Sequence, residues 1–460
     1  MLNKKAIENI IDFALCMGDF AEVFCENNVQ SIINAYTGRI ESSSLGIEAG
    51  VGLRIFNGLK PVYVYINGHS EDAVMKLLKN IETELKTEGS KAWKLPEKAA
   101  DYREKQGIGV LHKDVSYKRK MELVDRALSA GKAYSAEIAQ MNVRYLDCCQ
   151  DVVIANSEGV YAEDRRVKTR MYIMAYAKGD ASLQTGYTGP GAMRGFEFYD
   201  DLDIEAYARE AARIAVTMLH AEKCRGGRMP VIVGNGFGGL LFHEACGHSL
   251  EASSVARGAS EFSGKLGEPV ASPVVTLVDD GAIKNAWGSL SVDDEGTPTR
   301  KNVLIEKGIL KSYMVDKLNS LRMGLPVTGS ARRQNYRFAP TSRMTNTYIE
   351  KGESEPADII AATEKGLFVK HINGGSVNPA TGDFNFAAAE SYLIENGRIA
   401  HPVSGATLIG KGTQVLKDVD MVGNDLSIGQ GYCFAASGAL FIGAGQPTIR
   451  VSTMTVGGVE

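Results

Sequence analysis

Surplus charge is scarce in this chain: 51 Lys and Arg stand against 55 Asp and Glu, a formal net charge of −4 over 460 residues. That balance leaves no electrostatic footprint for nucleic acid or for an anionic membrane surface, so neither is expected as a partner. Long apolar runs are also missing. The most apolar late stretch, Cys433 to Gly445, is too short and too rich in Gly and Ala to span a bilayer. At the N-terminus Glu8, Asn9 and Asp12 interrupt what would be the centre of a signal peptide. The seven cysteines are odd in number and irregular in spacing, which excludes a disulfide framework and points to a reducing, cytoplasmic setting. With 44% hydrophobic and 23% charged residues, the composition is that of a globular protein rather than a disordered one. The length favours two or three domains.

Against this background one run carries chemistry. Gly238-Gly239-Leu240-Leu241-Phe242-His243-Glu244-Ala245-Cys246-Gly247-His248-Ser249-Leu250-Glu251 sets a His-Glu pair and a second His in an apolar context. In the commoner H-E-x-x-H motif, histidines at i and i+4 share a helix face and hold zinc, and the glutamate serves the metal-bound water. Here His243 and His248 are five apart. On a regular α-helix such a pair stands roughly 140° apart, too far round to meet one ion. A π-bulge returns residues five apart to one face, and Gly247 is the residue that tolerates such a bend.

Along the chain, apolar spacing predicts a helix over 3–17, an antiparallel meander over 21–66 with turns at Thr37-Gly38 and Asn57-Gly58, and a helix over 70–85. The meander divides into segments at 22–25, 31–33, 46–53 and 62–65. The layout repeats in outline: a helix over 116–134, strands between 138 and 177 with a turn at Ser157-Glu158-Gly159, and a helix over 204–221. Gly186 to Gly195 reads as a loop, without the Lys-Ser/Thr of a phosphate cradle. From Val231-Ile232-Val233 onward, short strands and Gly/Pro/Asn/Asp turns surround the His-Glu helix. The expected fold class is α+β: N-terminal antiparallel meanders flanked by helices, then a β-rich domain carrying a bent metal-binding helix. The expected units are 1–90, a connecting segment 91–114, 115–225 and a β-rich domain 226–460. Lys118-Arg119-Lys120, Arg332-Arg333 and the acidic Asp293-Asp294-Glu295-Gly296 read as solvated surface and turn.

A catalytic zinc takes three protein ligands and leaves one open position. His243 and His248 supply two. On chemistry alone the third is open among Cys246, Glu251, Asp293, Asp294, Glu295, His371, Glu390, His401 and Cys433. Cys246 reads as a small buried residue, and His371 and His401 stand beside turn residues.

The run from His243 to Ala252 resembles the signature of the TldD/PmbA family of zinc metalloproteases, in its active TldD branch. The resemblance extends over Gln334 to Pro340, Arg343 to Thr347, Gly374 to Phe384, and Gly445 to Val451 with Val456-Gly457-Gly458. It implies Cys433 as the third zinc ligand, with Glu244 as general base. It also implies a two-subunit tube, either a homodimer or a heterodimer with a PmbA/TldE-type subunit, whose enclosed cavity admits unstructured peptides. Such peptides would pair with a strand edge. The expected activity is hydrolysis of peptide bonds in small or unfolded peptides. A thiolate ligand tempers the Lewis acidity of zinc, so a modest rate is expected. The rivals are a non-catalytic peptide-binding subunit and a hydrolase of another bond, such as an amidase. An oxyanion donor is expected from Arg or Tyr within 334–343.

Overall fold

The computed structural model describes residues 1–85, 92–103, 105–180, 182–378 and 381–459. Parts of the expected connecting segment, and Pro379 and Ala380 of the Gly374 motif, lie outside the described residues. The protein is α+β. Strands Lys60–Asn67, Arg39–Asn57, Phe20–Tyr36, Ile138–Asn156, Tyr161–Lys178 and Ala100–Asp101 lie side by side in that order. Phe20–Tyr36 pairs antiparallel with Ile138–Asn156 from Glu22↔Asn156 to Tyr36↔Asn142, so the two N-terminal meanders share one sheet.

That first strand is 17 residues long and runs straight through Glu26-Asn27-Asn28, where polar residues divide the expected segments. The polar residues do not break it because they are bonded from across the molecule: Glu26 accepts from the Tyr336 amide at 2.8 Å and from Gln150 at 2.9 Å. Side chains alternate between faces of a strand. Val23, Cys25, Ile33 and Ala35 therefore share one face, and on it sit two helix pairs. Helices Lys4–Ala14 and Glu71–Leu85 pack Ile7, Ile10, Ile11, Val74 and Leu78 against Val23 and Cys25. Helices Tyr117–Lys132 and Ile204–Leu219 pack Val124, Ala127, Leu128, Ala208 and Ala211 around Ile33 and Ala35. Ser116 and Asp203 cap these two helices through the amides of Arg119 and Ala206. The opposite face, with Glu22, Phe24 and Glu26, meets the C-terminal domain.

Contrary to expectation, Gly186 to Gly195 is not simply a loop. Leu183–Thr188 and Gly191–Ala192 add to Tyr161–Lys178 as strands. A Cβ on Gly186 would stand 2.0 Å from the Ala211 carbonyl oxygen, so this glycine allows a strand to lie directly against helix Ile204–Leu219.

In the C-terminal domain an eight-stranded sheet runs in the order Lys365–Val377, Gly227–Val233, Ile449–Gly457, Thr407–Lys411, Asp383–Glu395, Arg398–Ser404 and Glu222–Lys223, with Val419–Val422 paired to Ile449–Gly457. A six-stranded sheet ends in Asn346–Ile349, Gly438–Gln446 and, at its edge, Ser427–Ala435. Between them lies one apolar core that includes Leu241, Phe242, Val231, Val233, Phe386, Leu440 and Ile442. Among the described residues no helix is long and apolar enough to cross a membrane.

Lys118 and Arg119 are exposed as expected, but most of the other charges expected at the surface are buried: Asp293, Asp294, Glu295, Arg332, Arg333 and Lys120 are all less than a tenth exposed. Of these, Asp294, Glu295 and Arg333 form ion pairs that join the N-terminal sheet to the C-terminal domain. Arg54 pairs with Glu22 and Glu295 at 2.7 Å each, Arg333 with Glu22 at 2.7 Å, and Arg166 with Asp294 at 2.6 Å. Their partners lie far away in sequence, so a local reading of charge and turn residues has nothing to pair them with. Lys120 pairs with Asp147 at 2.6 Å inside the N-terminal sheet.

Candidate metal centre

The His-Glu segment enters from strand Gly227–Val233 through a 3₁₀ turn, Gly236–Gly239. A Cβ on Gly239 would come within 2.3 Å of the Gly445 carbonyl oxygen, so the segment is laid directly on strand Gly438–Gln446. Gln446, fully buried, fastens this approach by donating to the Val233 and Gly234 carbonyls. After one α-turn, Leu240–Phe242, the backbone becomes a π-helix over His243–Gly247 and closes in a 3₁₀ turn over His248–Leu250. The π-turn absorbs the extra residue and brings His243 and His248 together, with ring centroids 5.3 Å apart and planes at 84°.

Gly247 serves this turn differently from expectation. Its φ of −57° is ordinary helix, so no special backbone freedom is used. A Cβ there would instead strike the Met344 sulfur at 2.1 Å. On another side Gly412 approaches just as closely, since its Cβ would meet the Ala245 carbonyl oxygen at 2.1 Å. The bent segment is held by two contacts that only glycine permits.

Cys433 arrives on the edge strand Ser427–Ala435. Its Sγ lies 3.1 Å from His248 Nε2, and one ligand atom from each of His243, His248 and Cys433 falls within 4.8 Å of the others. Two neutral imidazoles and a thiolate around a tetrahedral zinc stand about 3.5 Å apart, from bonds of about 2.0 and 2.3 Å. His243 is fully buried, and neither of its ring nitrogens has a hydrogen-bond partner. Burial, with His248 and two arginines nearby, holds its pKa well below the ordinary 6.5 and keeps the ring neutral. A buried imidazole with two unmet nitrogens is costly unless something else takes one of them.

The other side of His248 is anchored. Its Nδ1 faces Glu251 Oε1 at 3.2 Å, and Glu251 lies 3.7 Å from the Arg343 Nε. Arg343 in turn donates to the Cys433 carbonyl at 3.0 Å, to Ser437 Oγ and to the Gly438 carbonyl. One carboxylate and one guanidinium thus tie together the histidine and cysteine ends of the cluster. Glu251 faces Nδ1 and so leaves Nε2 turned toward Sγ, the usual place of a carboxylate behind a metal-site histidine. Glu244 stands on the partly open side, about a quarter exposed, with Oε2 3.7 Å from His248 Nε2. Burial raises its pKa above the usual 4.5, with His248 acting in the opposite sense.

The remaining candidates fall elsewhere. Cys246 is fully buried beneath the Gly412 carbonyl. Asp294 and Glu295 belong to the interdomain ion pairs, Asp293 accepts from the amides of Glu295, Thr297 and Ala331, and His401 lies 3.8 Å from Glu222 at the surface. His371 and Glu390 form a second cluster with Glu210. There Arg213 donates to both carboxylates and Lys370 lies within 3.6 Å of each, so two cations already balance the two acids. Of the residues expected to supply an oxyanion donor, Tyr336 is bonded to Asn67, Arg337 to Glu48, and Arg343 to the groups above. Sequence reasoning missed Arg343 as the link between the candidate ligands, and weighed Glu251 only as a ligand. The three-residue spacing of His248 and Glu251 on one turn was the available signal.

Comparison with known proteins identifies the family. Residues 226–458 match the PmbA/TldA metallopeptidase C-terminal domain, 111–219 the central domain and 21–83 domain 1. A metalloprotease TldD homolog from Haemophilus influenzae is 34% identical across 100% of this chain and 97% of its own length. This chain belongs to the TldD/PmbA family. Another TldD homolog, from Buchnera aphidicola, is 33% identical over 96% of the chain and 93% of its own length. These relatives support a metallopeptidase. Crystal structures share the TldD/PmbA fold at lower identity: TldE from Thermococcus kodakarensis, 20% identical, has a TM-score of 0.78 and covers 98% of this chain and 99% of its own.

Proposed function

We propose that this TldD/PmbA protein is a zinc-dependent peptidase acting on small or unfolded peptides in the cytoplasm. The observation that carries the reading is His243, fully buried with both ring nitrogens unmet, within reach of a second imidazole and a thiol. His243, His248 and Cys433 would hold the ion, and the donor set fits zinc: two nitrogens and one sulfur, with an open position on the side of Glu244. Bound there, zinc supplies Lewis acidity and lowers the pKa of a coordinated water.

The chain's own groups perform the rest. Glu244 Oε2, partly desolvated and so more basic than an exposed carboxylate, takes the proton of the attacking water and returns it to the leaving amine. Glu251 keeps the proton on His248 Nδ1, which fixes Nε2 toward the cluster. Arg343 fixes the Cys433 backbone so that Sγ faces the histidines.

The likeness of fold to TldE supports assembly either with a PmbA/TldE-type subunit or as a homodimer whose enclosed cavity excludes folded proteins. The test is metal content together with hydrolysis of a labelled unfolded peptide by wild type and Glu244→Ala. Zinc retained with turnover lost is the expected result. Equal and negligible turnover by both proteins supports a non-catalytic peptide-binding subunit instead.

A further inference from the structure

Across the Gly438–Gln446 strand from Cys433, the N-terminal sheet and the C-terminal domain enclose a cavity of about 60 Å³. Its walls carry four cations, Arg166, Lys168, Arg332 and Arg333, and a single carboxylate, Asp294. All five are less than a tenth exposed. The carboxylate is already engaged: Asp294 accepts from Arg166 at 2.6 Å and from the Arg333 amide at 2.7 Å. Arg166 and Arg333 also have Asp164 and Glu22, respectively.

Lys168 and Arg332 have no carboxylate within ion-pair distance among the described residues. Lys168 Nζ donates to the Trp287 carbonyl at 2.8 Å and lies 4.7 Å over the Phe441 ring. Arg332 donates only to the carbonyls of Met344 and Phe441. The Arg333 Nε–H, in the same wall, is buried with no acceptor at all. Two desolvated cations side by side, neither in an ion pair of its own, repel each other and forgo hydration, a combination folded proteins relieve with an anion or by losing a proton. Burial and the nearby Arg332 do press the Lys168 pKa well below 10.5. The orphaned Arg333 donor, however, asks for an acceptor, which deprotonation of Lys168 does not provide.

We infer that this cavity is a binding site for one small monovalent anion, coordinated by Lys168, Arg332 and the free Arg333 Nε–H, which clasps the N-terminal sheet to the metal-bearing domain. The volume admits a halide or a single carboxylate group, since a water-sized guest takes about 30 Å³. It is too small for a sugar phosphate or a nucleotide. The anion is therefore either a free halide or the terminal carboxylate of a peptide, and the chemistry recognised is the same.

Three measurements test the site on the full chain. Melting temperature in 100 mM sodium chloride is compared with the sodium salt of a bulky sulfonate buffer at the same concentration, whose anion has no carboxylate and is too large to enter; occupancy by chloride raises it by about 2 °C or more. Lys168→Met removes a buried charge and so folds readily, and it should abolish that difference. Bromide anomalous scattering should place a peak between Lys168, Arg332 and Arg333 in wild-type crystals and none there in the variant. A peptide acid that displaces the bromide, where its C-terminal amide does not, assigns the guest to a peptide end; displacement by neither assigns it to a free halide. Equal melting in both salts with no bromide peak overturns the inference, as does a variant that keeps the full chloride response. None of these readouts depends on peptidase activity, so the site stands or falls separately from the proposed function.

Discussion

Glu251 is the residue through which the proposed site can be weakened without touching a ligand. Its Oε1 lies 3.2 Å from His248 Nδ1, and Cys433 Sγ lies 3.1 Å from Nε2 of the same ring. The carboxylate therefore strengthens Nε2 as a donor and holds the ring plane. Glu251→Gln keeps an acceptor oxygen but replaces a charge-assisted hydrogen bond by a neutral one, a loss of about 1–1.5 kcal/mol and so roughly tenfold in zinc affinity. Glu251→Leu removes the acceptor altogether, and the loss should approach the upper end of the 10–100-fold range for residues behind a ligand. Arg343 retains its bonds to Cys433, Ser437 and Gly438 in both variants, so the metal-free fold should survive. Competition for zinc against a chromophoric chelator reads the affinity, and peptide turnover at saturating zinc reads the chemistry. The graded order wild type, Gln, Leu is the expected result. Affinities for all three within twofold would refute the orienting role and the tautomer assigned to His248.

Gly247→Ala should cost about 1–3 kcal/mol through overpacking against Met344 and lower zinc occupancy, and Gly247→Ala with Met344→Ala should recover part of both, read by melting temperature and metal analysis. Asp279 is fully buried, and desolvation lifts its carboxyl to about 6 despite hydrogen bonds from Thr345 and Thr347. A raised folded pKa stabilises most below the unfolded value near 4 and loses that contribution as pH rises through 6, so wild type minus Asp279→Asn stability should fall by about 2 kcal/mol between pH 4 and 7.5 in paired melting curves. A flat difference would refute the buried assignment. His371→Ala should leave zinc at one ion per chain by elemental analysis, because Arg213 and Lys370 already neutralise Glu210 and Glu390; a fall in zinc content would make that cluster a second metal site.

Local patterns in the sequence carried the elements well and the interfaces poorly. Helix starts near Ser116 and Ile204, the hairpin turns at Thr37-Gly38 and Asn57-Gly58, and the need for a π-turn between His243 and His248 all follow from rules that act within a few residues. Cys433 lies 185 positions from His248, and no spacing rule reaches that far; only the family resemblance singled it out. The same limit misplaced Asp294, Glu295 and Arg333 at the surface, since Arg166, Arg54 and Glu22, which pair with them, sit on strands of another domain. Gly247 was singled out for the wrong property: what matters is the absent Cβ beneath Met344, which depends on packing rather than backbone freedom. The strands at Leu183–Thr188 and Gly191–Ala192 were hidden because glycines that permit close packing on a helix look like loop glycines in a linear text.

The central claim is that an ion bridges the bent turn and the edge strand. Zinc K-edge absorption of the zinc-loaded protein measures this directly. The account predicts two imidazole nitrogens at about 2.0 Å, one sulfur at about 2.3 Å and one light open-position ligand, with the sulfur shell gone in Cys433→Ser. A spectrum without sulfur, or one whose sulfur survives that substitution, would contradict it.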